Sequence, residues 1–176
     1  EPENGFAKLK LLDEYLTLIF SHSTTKKVNN EYIKKELVSR SKINSLNILF
    51  EISILGLLLK YFDQSKIILY PKTIGNKNVE ASIILIDIEV YLEATVIGES
   101  EEDQNKRIEM TNKNKRVWGG SRDIDKDTGR VTLRLKNKAE QMIVGKPNVL
   151  VLGTYDFQPN QFNIKSAIED NQFSNI

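Results

Sequence analysis

Cysteine is absent from the 176 residues, histidine and tryptophan occur once each, and proline occurs four times. Without cysteine there is no disulfide framework, no thiolate metal site and no cysteine nucleophile, a pattern that fits a reducing interior. The one histidine, His22, lies in the polar stretch HSTTKKVNN and is expected at the surface, which disfavours a histidine-dependent nucleophile triad. An excess of charge is missing too. With 25 Lys and Arg against 24 Asp and Glu the formal net charge is +1, so the whole-molecule field gives no strong reason to expect nucleic acid. The longest apolar stretch, INSLNILFEISILGLLL, is broken by Asn44, Asn47, Glu51 and Ser53 and reads as a buried helix, not a membrane span. The opening EPENG carries neither the basic start nor the apolar core of a signal peptide, so an intracellular, cytoplasmic protein with no membrane partner is expected.

What is present fits one domain. Hydrophobic residues make up 40% and charged residues 28% of the chain, ordinary for a globular protein with a proper core. Residues 1–43 read as an N-terminal helical segment. Leu9, Leu12, Leu16 and Ile19 share one helical face between Lys8 and Phe20, and Asn30 is a candidate cap for a second helix with Tyr32, Ile33 and Leu37 inside. Residues 44–176 read as an α/β core. Its helix, Ser45 to Tyr61, is apolar nearly all round, which makes Glu51 costly there unless it is paired, hydrogen-bonded or on a metal.

A short strand over Lys66 to Tyr70 precedes the hairpin VEASIILIDIEVYLEAT. A reversal between Ile86 and Asp87 sets Leu85 against Ile88, Ser82 against Tyr91 and Glu80 against Glu93, with Glu89, Tyr91, Glu93 and Thr95 on one face. Like charges directly opposite destabilise a sheet, so either a basic side chain or a divalent cation is expected between the carboxylates. Ile-Asp is poor chemistry for a tight turn, and a shifted register would separate them.

From about residue 99 to 129 the chain is polar and reads as a mobile loop, with Trp118 in RVWGGSRD either anchoring it or stacking on a base. DIDKDTG has the acidic spacing of a calcium loop but fails it, because Gly129 is one position late and Arg134 stands where a bidentate glutamate is required. A helix from Arg130 follows, with Val131, Leu135, Ala139 and Met142 or Ile143 inside and Arg134, Lys138 and Gln141 on another stripe; GKP ends it, and NVLVLGTY is a buried strand. The basic clusters Lys26-Lys27, Lys34-Lys35, Lys113 to Arg116 and Arg130 to Lys138 read first as solvated faces.

From about Asn44 to Tyr155 this order of segments resembles the PD-(D/E)XK nuclease-like superfamily of restriction and repair endonucleases. The matching pieces are a glutamate-bearing helix (NILFEISILGLLL, Glu51), an acidic residue opening the hairpin (NVEAS, Glu80), an E-x-K variant ending its second strand (LEAT, Glu93 and Thr95), and a K-A-x-Q variant (NKAEQM, Lys138 and Gln141) before a buried strand. The resemblance implies a restriction-endonuclease-like fold, a central mixed sheet flanked by helices. It also implies hydrolysis of a nucleic-acid phosphodiester, DNA above RNA, with Mg2+ or Mn2+ as cofactor. Glu80, Glu93, the Ala94 carbonyl and Glu51 would hold the metal, and Gln141 would fix a water or a phosphate oxygen. Arg130, Arg134, Lys113, Lys115, Arg116 and Trp118 would contact the nucleic acid. Thr95 stands where the pattern has lysine, and the resemblance assigns the missing cation to Lys138. A catalytically inactive nucleic-acid-binding or protein-interaction module is the alternative, and a homodimer stays open.

Overall fold

A computed structural model describes residues 2–38, 42–72, 79–98, 109 and 124–154, with the side chains of 2–6, 27–28, 42–44 and 124–127 left aside. In chain order the elements are α1 (Pro2–Ser21), α2 (Lys27–Leu37), α3 (Lys42–Tyr61), a 3-10 turn (Gln64–Lys66), β1 (Ile67–Leu69), β2 (Ala81–Leu85), β3 (Ile88–Ile97), α4 (Ile124–Ala139) and β4 (Asn148–Thr154). The protein is α/β. Its sheet has the order β1-β2-β3-β4; β1 with β2 and β2 with β3 are antiparallel, and the sheet is mixed, so β4 runs parallel to β3. The chain divides into two units, one formed by 1–96 with 140–153 and the other by 97–139 with 154–176.

In the first unit α1, α2 and α3 share one core with the inner face of the sheet. Tyr15 and Ile19 from α1, Ile33 from α2, and Ile48, Ile52, Leu55 and Leu59 from α3 are buried with Ile67, Leu69, Ala81, Ile83, Leu92 and Ala94. The strand residues in that list are alternate ones, as a pleated strand with one face on a core requires. The helices approach closely where Gly56 of α3 meets Tyr15: a Cβ on Gly56 would overlap the ring carbons of Tyr15. A second close approach sets Gly153 of β4 against Phe50, whose ring carbon would lie 2.8 Å from an added Cβ. Leu9, expected on the inner face of α1, is 66% exposed; Tyr15, Leu16 and Ile19 carry the packing instead.

The hairpin register is the one the alternation predicts, with Leu85 opposite Ile88 and Ser82 opposite Tyr91. The turn is made without glycine. Ile86 (φ 47°) and Asp87 (φ 67°) both take the left-handed conformation of a type I′ turn, which matches the twist of the strands but strains a β-branched residue.

Several local expectations are corrected. α2 begins at Lys27, with Lys26 as its N-cap residue, so Asn30 is inside the helix and caps nothing. Tyr32, expected inside, is 48% exposed, whereas its neighbour Ile33 is fully buried. His22 is buried, not on the surface: its Nε2 meets the Gln64 carbonyl at 3.2 Å and its Nδ1 meets Thr24 Oγ1 at 2.9 Å. A carbonyl only accepts, so Nε2 carries the proton, and Nδ1 is left to accept from the Thr24 hydroxyl and N–H. Thr24 Oγ1 accepts in turn from the Leu69 N–H at 2.8 Å, so this network ties the α1–α2 loop to β1.

In the second unit, α4 starts at Ile124, inside the stretch expected to be loop as far as Gly129, so IDKDTG, residues 124–129, is helical. Among its described side chains Val131 and Leu135 are buried. The helix ends at Ala139, so Met142 and Ile143 lie beyond it and belong to the first unit, in a turn where Asn148 Oδ1 accepts from the Ile143 N–H at 2.9 Å and Gly145 takes φ 73°. The expected mobile loop, 99–123 apart from Glu109, lies outside the described residues.

Candidate functional site

The site begins where β2 separates from β3. β2 has five residues and β3 ten, so the second half of β3 has no β2 backbone beside it. The regular ladder ends at Ala81 opposite Leu92. The Glu80 N–H donates to the same Leu92 carbonyl side at 3.2 Å, so two residues of one chain face one of the other, as at a β-bulge. The cross-strand pair of Glu80 and Glu93 that a continued register would add is thus one step past the end of the ladder.

Side chains replace the missing backbone partners. The Ala94 N–H donates to Glu80 Oε2 at 3.1 Å, and the Val96 N–H donates to Asn47 Oδ1 of α3 at 3.0 Å. In a strand the N–H and C=O of one residue point to the same side, so the Ala94 carbonyl faces the same opened margin as the Glu80 carboxylate.

Two tyrosines and a second acid complete this corner of the first unit. Glu51 lies one turn after Asn47 on α3, is buried, and accepts a hydrogen bond at 2.5 Å from the Tyr70 hydroxyl. The buried carboxylate is thereby hydrogen-bonded, one of the three outcomes its position demands. Tyr70 follows β1 and precedes Pro71; it holds φ 49°, a costly conformation for a bulky residue, and its N–H donates to the Glu80 carbonyl at 2.9 Å. Burial, then the Glu51 charge and its hydrogen bond, push the Tyr70 phenol far above the ordinary tyrosine range, and the Glu80 charge adds to this. Burial and the charges of Glu51, Glu36 and Glu80 push the Tyr32 phenol up to about 12. Both phenols therefore sense Glu51 and Glu80 together.

Glu93 and Thr95 alternate to the sheet face opposite the α1–α3 core, with Ser82 and Tyr91. They are nonetheless 1% and 3% exposed, so both faces of β3 are covered at this point. At the far end of the same face Tyr91 donates its hydroxyl to Glu89 Oε2 at 2.7 Å, away from the opened margin.

Of the residues that the sequence singles out, Glu51, Glu80, Glu93, Ala94, Thr95 and Gln141 belong to the first unit, whereas Arg130, Arg134 and Lys138 lie on α4 in the second. Gln141 does not continue the Arg134–Lys138 stripe, because the helix stops two residues before it. Lys113, Lys115, Arg116 and Trp118 fall outside the described residues. Among the described residues no group of three or more His, Asp or Glu is gathered closely enough to hold a metal ion. Sequence reasoning missed Tyr70 and the role of Tyr32; the one local signal was an aromatic residue directly before Pro71, where the chain must turn.

Comparison with known protein families, with curated proteins and with solved structures finds no match to the chain. Among the described residues no helix is long and apolar enough to cross a membrane.

Proposed function

We propose that the chain is a metal-dependent phosphodiesterase acting on nucleic acid, a DNA endonuclease of the PD-(D/E)XK type. The observation that carries the reading is the opened margin between β2 and β3, where the Glu80 carboxylate is fixed on the Ala94 amide next to Glu93. Further support comes from the order helix, three antiparallel strands, helix, parallel strand, with Glu51 on the first of these helices.

The donor set suits Mg2+ or Mn2+ in its sparest form, since such ions settle for one or two carboxylates and complete their shell with water and substrate phosphate. Glu80, Glu93 and the Ala94 carbonyl would hold the ion, which when bound supplies a water of lowered pKa and charge against the scissile phosphate. The chain's own part is to orient. Glu51 is held still by Tyr70, and the Thr95 hydroxyl positions a water. Gln141 fixes a water or a phosphate oxygen. Arg130 and Arg134 grip the phosphate backbone without reading bases. Lys138 takes the place of the absent motif lysine on the strength of its sequence position.

The test is cleavage of supercoiled plasmid with Mn2+ or Mg2+. The parent cleaves and Glu93→Ala does not, while Lys138→Ala lowers turnover roughly ten- to thousand-fold, as loss of one electrostatic or proton-transfer group does. A parent that cleaves nothing with any divalent metal overturns the reading. One observation favours a second reading: Thr95 is buried where the motif has a cation and brings no charge. A catalytically inactive module would then shift DNA in a gel without cutting it.

A further inference from the structure

Tyr70 is bound to both acidic residues of the opened margin by different parts of itself. Its hydroxyl donates to the Glu51 carboxylate at 2.5 Å, and its backbone N–H donates to the Glu80 carbonyl at 2.9 Å. Glu51 lies on α3 and Glu80 directly before β2, so a residue bonded to both couples two separate elements.

The backbone of Tyr70 is held where few large residues go. A left-handed φ of 49° costs about 1–2 kcal/mol for a residue with a Cβ, and the following Pro71 restricts this position further. Such strain persists only where surrounding contacts over-determine it. The contacts here include the two hydrogen bonds and the packing of the ring against the core. Released to an ordinary β conformation, the chain would carry the ring away from Glu51 or the N–H away from Glu80.

We infer that Tyr70 is a positioning residue that locks Glu51 and Glu80 into one rigid unit, fixing the carboxylate geometry on which cation binding depends. The inference rests on the function proposed above. It adds a residue that does not touch substrate or metal and acts through the two acids. Partners that orient metal-binding carboxylates lower metal affinity or activity by about 10- to 100-fold when removed.

The experiment is calorimetric titration of the full chain with Mn2+, together with plasmid cleavage, for the parent, Tyr70→Phe, Glu51→Gln, the double variant, and Tyr91→Phe as a phenol removed from the far end of the hairpin. Thermal melting of each verifies folding. Tyr70→Phe is expected to weaken Mn2+ binding about 10- to 100-fold and to lower kcat more than it raises KM. Glu51→Gln, which also removes the carboxylate charge, should lose at least as much, and the double variant little more than Glu51→Gln alone, because Tyr70 acts through Glu51. Tyr91→Phe should bind Mn2+ like the parent. Parent-like Mn2+ affinity in Tyr70→Phe, or losses that add in the double variant, overturn this inference alone. A parent that neither binds Mn2+ nor cleaves overturns the proposed function and this inference with it.

Discussion

Glu80 and Ala94 are joined by a hydrogen bond in which a side-chain carboxylate accepts from a strand amide that would otherwise pair with backbone. Glu80 thus has a structural duty separable from its charge.

That duty can be measured. Glu80→Ala leaves the buried Ala94 N–H without its acceptor and is expected to destabilise the fold by about 1–3 kcal/mol in chemical denaturation. Glu80→Gln keeps an acceptor oxygen and should lose far less stability while losing Mn2+ binding. Equal stability losses in the two variants would mean that the bond contributes nothing.

The turn at Ile86 and Asp87 pays for its shape with two left-handed residues. Replacing the pair by Asn-Gly, which adopts that conformation readily, is expected to stabilise the protein by about 1 kcal/mol and to raise Tm by several degrees. Ile86 is 94% exposed, so little burial is lost in exchange. An unchanged or lower Tm would contradict the strain assigned to the turn.

Gly56→Ala should act in the opposite direction. The added methyl collides with the Tyr15 ring, and overpacking of this kind costs about 1–3 kcal/mol. Tyr15→Leu in the same chain should recover part of the loss, and a double variant no better than Gly56→Ala would argue against this contact as the cause.

Alkaline pH should weaken the fold through Tyr32 and Tyr70. Both phenols have folded pKa values raised above the usual 10, Tyr32 to about 12 and Tyr70 further. A raised folded value means that the unfolded chain loses its phenolic protons first, so the contribution is fully present below pH 10 and fades as pH rises through 12. Absorbance titration of tyrosinate should show Tyr32 and Tyr70 among the late phenols, with Tyr91 also raised by its hydrogen bond to Glu89, and Tyr70→Phe should remove one of them. Tyrosines that all ionise near pH 10 in the folded protein would refute the environment described.

The hairpin and the core helix were legible because their signals are local: alternation fixes which of Ile83 and Ser82 faces the core, and an apolar run as long as α3 has to be buried. His22, Tyr70 and Tyr32 were not legible, because what decides them lies far away in sequence. His22 is buried by Gln64, and Tyr70 is defined by Glu51 and Glu80. The start of α4 was missed for a different reason. DIDKDTG is polar and ends in glycine, so composition spoke for a loop, while the helix begins at Ile124 and runs on through Gly129. Motif and order single out three acids as candidates, but the bulge at Glu80 depends on where β2 stops, and no residue in the sequence announces that point.

Because Glu80 and Asn47 occupy the amides of Ala94 and Val96, the overhanging half of β3 is not a vacant template on which a strand from another molecule can assemble. The same plugs prevent β2 from sliding: a slip of two residues would need amides that are already taken. Removing both, in Asn47→Ala with Glu80→Ala, should turn a closed corner into a sticky one, with aggregation rising as the protein is concentrated.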